Sequence, residues 1–103
     1  MWRHETTDKA EFVNALAGLR EQINNLDAEV MQLLGRRMAV AEKIGQYKKE
    51  NDITILQTAR LNEILERSKR QGAQVGLTEE FVERYMEAVH LESVLHQEKV
   101  MNS

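Results

Sequence analysis

Apolar residues in the first half of this chain recur in alternating steps of three and four: Leu16, Leu19, Ile23, Leu26, Val30, Leu33, then Val40, Ile44 and Tyr47. Arg37 takes one place in the series. That period is the seam of a helix packed lengthwise against other helices. It predicts a first helix from near Asp8 to about Glu50. Thr7 or Asp8 would be its N-cap, and Asp8 with Glu11 resembles a capping box. Asn51-Asp52 then reads as a break. A second helix is expected from about Leu56 to Gln71, with Ala59, Leu61, Ile64 and Leu65 turned inward. Gly72 and Gly76 bracket a short loop. Thr78 caps a third helix, with Glu79 and Glu80 in its favourable first turn. The apolar face of that helix is Phe81, Val82, Tyr85, Met86, Val89, Val94 and Leu95.

The length of the first helix carries an architectural consequence. Roughly 40 residues at ~1.5 Å each span about 60 Å. A compact chain of 103 residues has a radius of gyration near ~13 Å. One copy therefore cannot cover both ends of its own apolar stripe, and a second copy is expected to do so. The fold class expected is all-α: a three-helix subunit with one very long first helix, in an intertwined homodimeric helical bundle. The alternative is a helix broken near Gly35 or Gly45 and folded back on itself. Each glycine costs only ~1 kcal/mol in a helix interior and forces no break.

Composition narrows the function classes. The chain has no proline and no cysteine, 5% aromatic residues and a net charge of −3. Without cysteine there is no disulfide, thiolate metal site or cysteine nucleophile. No basic stripe marks a nucleic-acid binder, and no run approaches the ~18 apolar residues of a membrane span. The N-terminus lacks the apolar stretch of a signal peptide, so a cytoplasmic protein is expected. Residues 1–7 read as a tail or the remnant of a linker, and 8–103 as one helical domain. His4, His90 and His96 show no metal-ligand spacing, and there is no phosphate loop or nucleophile elbow.

What remains is a set of polar groups at positions where a structural bundle would place leucine. Arg37 stands in the middle of the best apolar stripe. A buried guanidinium must meet an anion or water. Lys48 follows eleven residues later, three turns on, with Ile44 between them. On the third helix the inward series continues into Ser93 and Gln97, one turn apart, and the amide of Gln97 donates without titrating. Arg20 and Arg60 add guanidinium groups. Singly, each arginine or lysine is ordinary in a chain with 17 acidic residues to pair with, and a helical serine back-bonds routinely. Together they describe a pocket of fixed cations and neutral donors suited to a small dicarboxylate, because arginine grips carboxylates bidentately. Such an inventory suits a reaction that needs neither metal nor nucleophile.

These residues bring a family resemblance. The run Leu19-Arg20-Glu21-Gln22-Ile23, Leu26-Asp27, Leu33-Leu34-Gly35-Arg36-Arg37-Met38-Ala39-Val40-Ala41 and Ile44-Gly45-Gln46-Tyr47-Lys48 resembles the first helix of the all-α chorismate mutases. Arg60 follows at the matching distance, and Glu92-Ser93-Val94-Leu95-His96-Gln97 is similar to the third-helix signature. The resemblance implies rearrangement of chorismate to prephenate without a cofactor, at two sites per dimer built from both chains. It implies that Arg20 crosses from the partner subunit and holds substrate carboxylates with Arg37, assisted by Ser93. Lys48 and Gln97 would donate to the breaking ether oxygen. Arg60 would serve the carboxylate end or organise its neighbours, Ile44 and Val94 would pack on the carbon framework, and Gln57 would reach the ring hydroxyl. With Gln97 rather than a glutamate as donor, a broad pH optimum is expected.

One position departs from the family: Leu61 stands where a glutamate usually binds the ring hydroxyl. A lost hydrogen bond costs ~0.5–1.5 kcal/mol, which lowers affinity or hands the hydroxyl to Gln57. His90, on the inward side of the third helix, reads as a packing residue. Two other functions share this fold or its context: isochorismate pyruvate lyase, and a non-catalytic regulatory or dimerisation domain. The segments Tyr47-Lys48-Lys49-Glu50-Asn51 and Ile55-Leu56-Gln57 are similar to mutase domains fused behind a DAHP synthase, which makes such an enzyme a candidate partner. A bare antiparallel coiled coil is disfavoured by Arg37, since coiled coils use a polar seam residue only to set register.

Overall fold

The structure, a computed structural model, describes the backbone of residues 2–53 and 58–103 and the side chains of 9–53 and 59–103. Three helices follow in order: α1 (Trp2–Glu50), α2 (Thr58–Gln74) and α3 (Glu79–Met101), with no strand among the described residues. The helix reaches back to Trp2, so neither Thr7 nor Asp8 is its N-cap. With no proline or glycine before Gly18, nothing in the sequence stops the helix at Asp8. The expected start of α2 at Leu56 lies outside the described residues.

The helix ends are built by local chemistry. Ile53 N–H bonds to Lys48 C=O at 2.9 Å around Asp52, which takes a left-handed φ of 59°. Aspartate tolerates that region better than most residues. The Asn51 amide donates to Tyr47 C=O at 2.8 Å and satisfies a terminal carbonyl. At the end of α2, Leu77 N–H bonds Gly72 C=O and Gly76 N–H bonds Ala73 C=O, with Gly76 at φ 83°. This is a Schellman motif, and its left-handed residue favours glycine. Gly72 therefore lies inside α2 rather than in a loop, and α2 continues to Gln74. Gly72 serves packing: a Cβ there would stand 2.5 Å from Val82 Cγ2 of α3. Thr78 caps α3 and accepts from Phe81 N–H at 3.3 Å.

The chain divides into two compact units, 1–35 and 36–103. The first is the opening stretch of α1. Leu19, Ile23, Leu26 and Leu33 are each more than half exposed, and Val30 is 39% exposed. The second unit holds the last turns of α1 with α2 and α3. Its core is Met38, Ala41, Ile64, Val82, Val89 and Val94. Within it, α1 turns Met38, Ala41 and Gly45 inward. A Cβ on Gly45 would meet Gln97 Cα at 2.9 Å, so the two backbones approach where only glycine fits.

The buried face of α1 thus lies one position away from the expected seam. Val40, Ile44 and Tyr47 are 53%, 44% and 62% exposed. The helix carries two stripes offset by one residue, and the fold of one chain uses the less apolar one. On the other helices Ala59, Phe81 and Leu95 are exposed where inward positions were expected, while Leu61, Leu65, Tyr85 and Met86 are half-buried.

Candidate active site

Inside the second unit a cleft of about 290 Å³ is lined by Arg37, Val40, Ala41, Ile44 and Lys48 of α1, Arg60 and Ile64 of α2, and His90, Ser93 and Gln97 of α3. This sits near the lower end of the range for small-molecule pockets, ~300 Å³ and above. The spacing explains the convergence. Arg37, Ile44 and Lys48 follow the same 3.6-residue face of α1, and His90, Ser93 and Gln97 sit at i, i+3 and i+7 on α3.

Two cation-to-neutral pairs bridge α1 and α3. The Arg37 guanidinium donates to the Ser93 hydroxyl, and that hydroxyl donates to Met38 Sδ at 3.6 Å. Ser93 is 6% exposed. Lys48 Nζ donates to Gln97 Oε1 at 3.0 Å, and Gln97 is 7% exposed. An ammonium can only donate, so it fixes the amide with its oxygen toward Lys48 and leaves the NH2 to donate elsewhere. No buried side-chain polar atom lacks a partner among the described residues. Burial, and secondarily the nearby Arg60, lowers the Arg37 pKa, and burial lowers that of Lys48. Arg60 is half exposed and also pairs with Glu63, so it reaches the cleft from its rim.

The cleft brings together Arg37, Ile44, Lys48, Arg60, Ser93 and Gln97. Val94 is buried in the core and does not line it. Arg20 is an exposed residue of the first unit. Gln57 lies outside the described residues. Leu61 is half-buried and is not part of the lining. Sequence reasoning missed His90 as a lining residue, although its spacing from Ser93 and Gln97 was readable. Among the described residues no group of His, Asp or Glu could hold a metal ion. Chemically, the arrangement offers three fixed cations, a neutral amide donor and an apolar floor of Val40, Ala41, Ile44 and Ile64.

An all-α unit with three cations around an apolar cleft has the chemistry to receive a small carboxylated molecule. Residues 19–98 match the family model for chorismate mutase type II, and the chain belongs to that family. It is 32% identical to a bifunctional chorismate mutase/prephenate dehydratase of Buchnera aphidicola, over 86% of this chain and 23% of that protein. It is 30% identical to the T-protein of Haemophilus influenzae, over 73% of this chain and 21% of that protein. It is 26% identical to a 4-amino-4-deoxychorismate mutase of Streptomyces venezuelae, over 86% of each. The chain therefore spans under a quarter of the first two relatives. No helix among the described residues is long and apolar enough to cross a membrane.

Proposed function

We propose that this chain is a chorismate mutase, an isomerase that converts chorismate to prephenate in phenylalanine and tyrosine biosynthesis. The observation that carries the reading is the paired arrangement across the cleft, Arg37 on Ser93 and Lys48 on Gln97, in a chain of this family. The reaction is a single pericyclic step within one molecule. The ether C–O bond breaks as a C–C bond forms, and no proton, electron pair or group leaves. The protein's task is to hold the enolpyruvyl chain folded over the ring, a problem of orientation. It must also stabilise the negative charge that grows on the ether oxygen. Lys48 Nζ and the Gln97 NH2 stand together on one side of the cleft and do this as preorganised donors. Arg37 with Ser93 grips a carboxylate, with Arg60 at the rim, and Ile44 and its apolar neighbours contact the carbon framework.

The working form we infer is a homodimer. The apolar stripe of the first unit and the Val40–Ile44–Tyr47 stripe of the second are both exposed in the single chain, and a second copy would cover them. Arg20 lies on the uncovered stretch, and we assign it to the partner's cleft as a second carboxylate ligand. Gln57 is assigned to the ring hydroxyl. A fused partner enzyme is in keeping with the relative whose name couples a mutase with a prephenate dehydratase, and a DAHP synthase in particular rests on the resemblance around Tyr47–Asn51. Cytoplasmic placement belongs to the same proposal.

The test is the loss of chorismate absorbance on adding purified protein, with prephenate identified as product. Turnover in the wild type that Lys48→Ala removes supports the mutase reading. A protein that binds chorismate but leaves it unchanged overturns it.

A further inference from the structure

The cleft contains one polar side chain for which the proposed reaction has no use. His90 lies three residues before Ser93 and seven before Gln97, on the same face of α3 and in the same lining. At ~1.5 Å per residue it stands ~4.5 Å along the axis from Ser93 and ~10.5 Å from Gln97. It therefore belongs to the end where Arg37 meets Ser93, away from the Lys48–Gln97 pair. Unlike His96, it makes no hydrogen bond with the described residues, so both ring nitrogens are available to a ligand.

The charged groups that line the cleft with it have one sign. α1 contributes Arg37 and Lys48, α2 contributes Arg60, which is paired at the rim with Glu63, and the described lining contains no carboxylate. On α3 itself, Glu87 is exposed and Glu92 is bonded to His96. Burial first, and then these three cations, push the His90 pKa below its ordinary 6.5. The empty cleft therefore holds a neutral imidazole beside fixed positive charge. A bound dianion offsets two of those positive charges, and imidazolium becomes more favourable beside a carboxylate.

We propose that His90 is a further ligand-binding residue of this cleft: it contacts a substrate carboxylate at the Arg37–Ser93 end and takes up a proton as the dianion binds. The proposal rests on the mutase reading, which supplies the dianion. It makes binding tighter at lower pH through a group at the carboxylate end of the cleft, away from Lys48 and Gln97 at the ether oxygen. The pH dependence then appears in KM and not in kcat.

Prephenate, the dicarboxylate product, is the probe. Its binding heat is measured near neutral pH in buffers of different ionisation enthalpy, and the His90 ring is titrated by NMR in the free and prephenate-saturated wild type. The expected results are net proton uptake on binding, a His90 pKa raised by prephenate, and a several-fold gain in affinity from pH 8 to pH 6 that His90→Gln abolishes. The NMR titration uses the wild-type protein, so it does not depend on the variant folding. Prephenate binding that leaves the His90 pKa unchanged overturns the proposal alone, as does proton uptake that persists in His90→Gln. Failure of prephenate to bind overturns the mutase reading and this proposal with it.

Discussion

The two units of this chain obey the same apolar period and meet opposite fates. In 36–103 the apolar residues Met38, Ala41, Ile64, Val82, Val89 and Val94 close into a core. In 1–35 Leu19, Ile23, Leu26, Val30 and Leu33 repeat in the same three-four steps and stay exposed. Periodicity reports that a helix face is apolar. It does not report which molecule covers that face. Fully burying one valine, leucine or isoleucine contributes ~1.5–3 kcal/mol, so leaving these five side chains substantially exposed is a deficit that a second copy would remove. The second unit bears a smaller version of the same contrast. Its α1 segment packs through Met38, Ala41 and Gly45, and the more apolar stripe one position away remains open.

The largest effect is expected from breaking the bare unit. Ile23→Asp places a charge on the exposed stripe, and in a two-fold interface the change acts twice. Analytical ultracentrifugation should find the wild type dimeric and the variant dissociated, with chorismate turnover lost. A dimer that survives Ile23→Asp would show that this stripe is not the interface. The next effect sharpens the other half of the comparison. Lys48→Ala removes a donor from the ether oxygen, and steady-state kinetics should show a ~10²–10³-fold fall in kcat, with the dimer intact.

Gly45→Ala is expected to act on both stability and the site. Its Cβ would lie 2.9 Å from Gln97 Cα and 3.0 Å from Gln97 O, and backbone cannot swing aside as a side chain can. Overpacking of this kind costs ~1–3 kcal/mol. Each kilocalorie lowers the Tm of a domain this size by about 4–8 °C, which calorimetry would register. The same substitution at Gly35, where a Cβ meets nothing within 4 Å, should leave the melting temperature unchanged or raise it.

The smallest effect concerns His96. Its two ring nitrogens face Glu42 Oε2 at 2.7 Å and Glu92 Oε2 at 2.9 Å. Two carboxylate partners require both nitrogens to donate, hence imidazolium. Hydrogen bonds to Glu42 and then Glu92 raise its pKa above 6.5. A raised pKa contributes stability that is fully present below about 6.5 and is lost as pH climbs through the raised value. Melting curves from pH 6 to pH 9 should therefore lose a small increment in the wild type. His96→Gln should flatten that loss, and an identical pH profile in the two proteins would remove His96 from the account.

Much of this architecture was legible in the residues. The three helices, the break at Asn51-Asp52 and the Thr78 cap follow from local rules of spacing and hydrogen bonding. The convergence of Arg37, Lys48, Ser93 and Gln97 was readable because polar residues occupied apolar register positions. Features set by tertiary contact were not readable. Nothing local shows that Gly45 touches the backbone of Gln97, or that Gly72 must clear Val82. The expected seam missed the buried face by one residue because the face used within the chain is built from small side chains, Ala41 and Gly45, which contribute little to an apolar count. His90 read as packing because a histidine on an inward face usually is; its spacing from Ser93 and Gln97 was readable, but the cations that α1 and α2 bring beside it were not.

We propose that the two units complete each other across copies, with Arg20 of one chain's bare stretch serving its partner's cleft. The direct measurement is to mix inactive Arg20→Ala and Lys48→Ala proteins, allow subunits to exchange, and assay chorismate turnover. Each heterodimer would contain one intact site, so activity should return to about a quarter of the wild-type level at full exchange in a two-fold dimer. Exchange without recovery of activity would contradict the shared site and return Arg20 to the surface of its own chain.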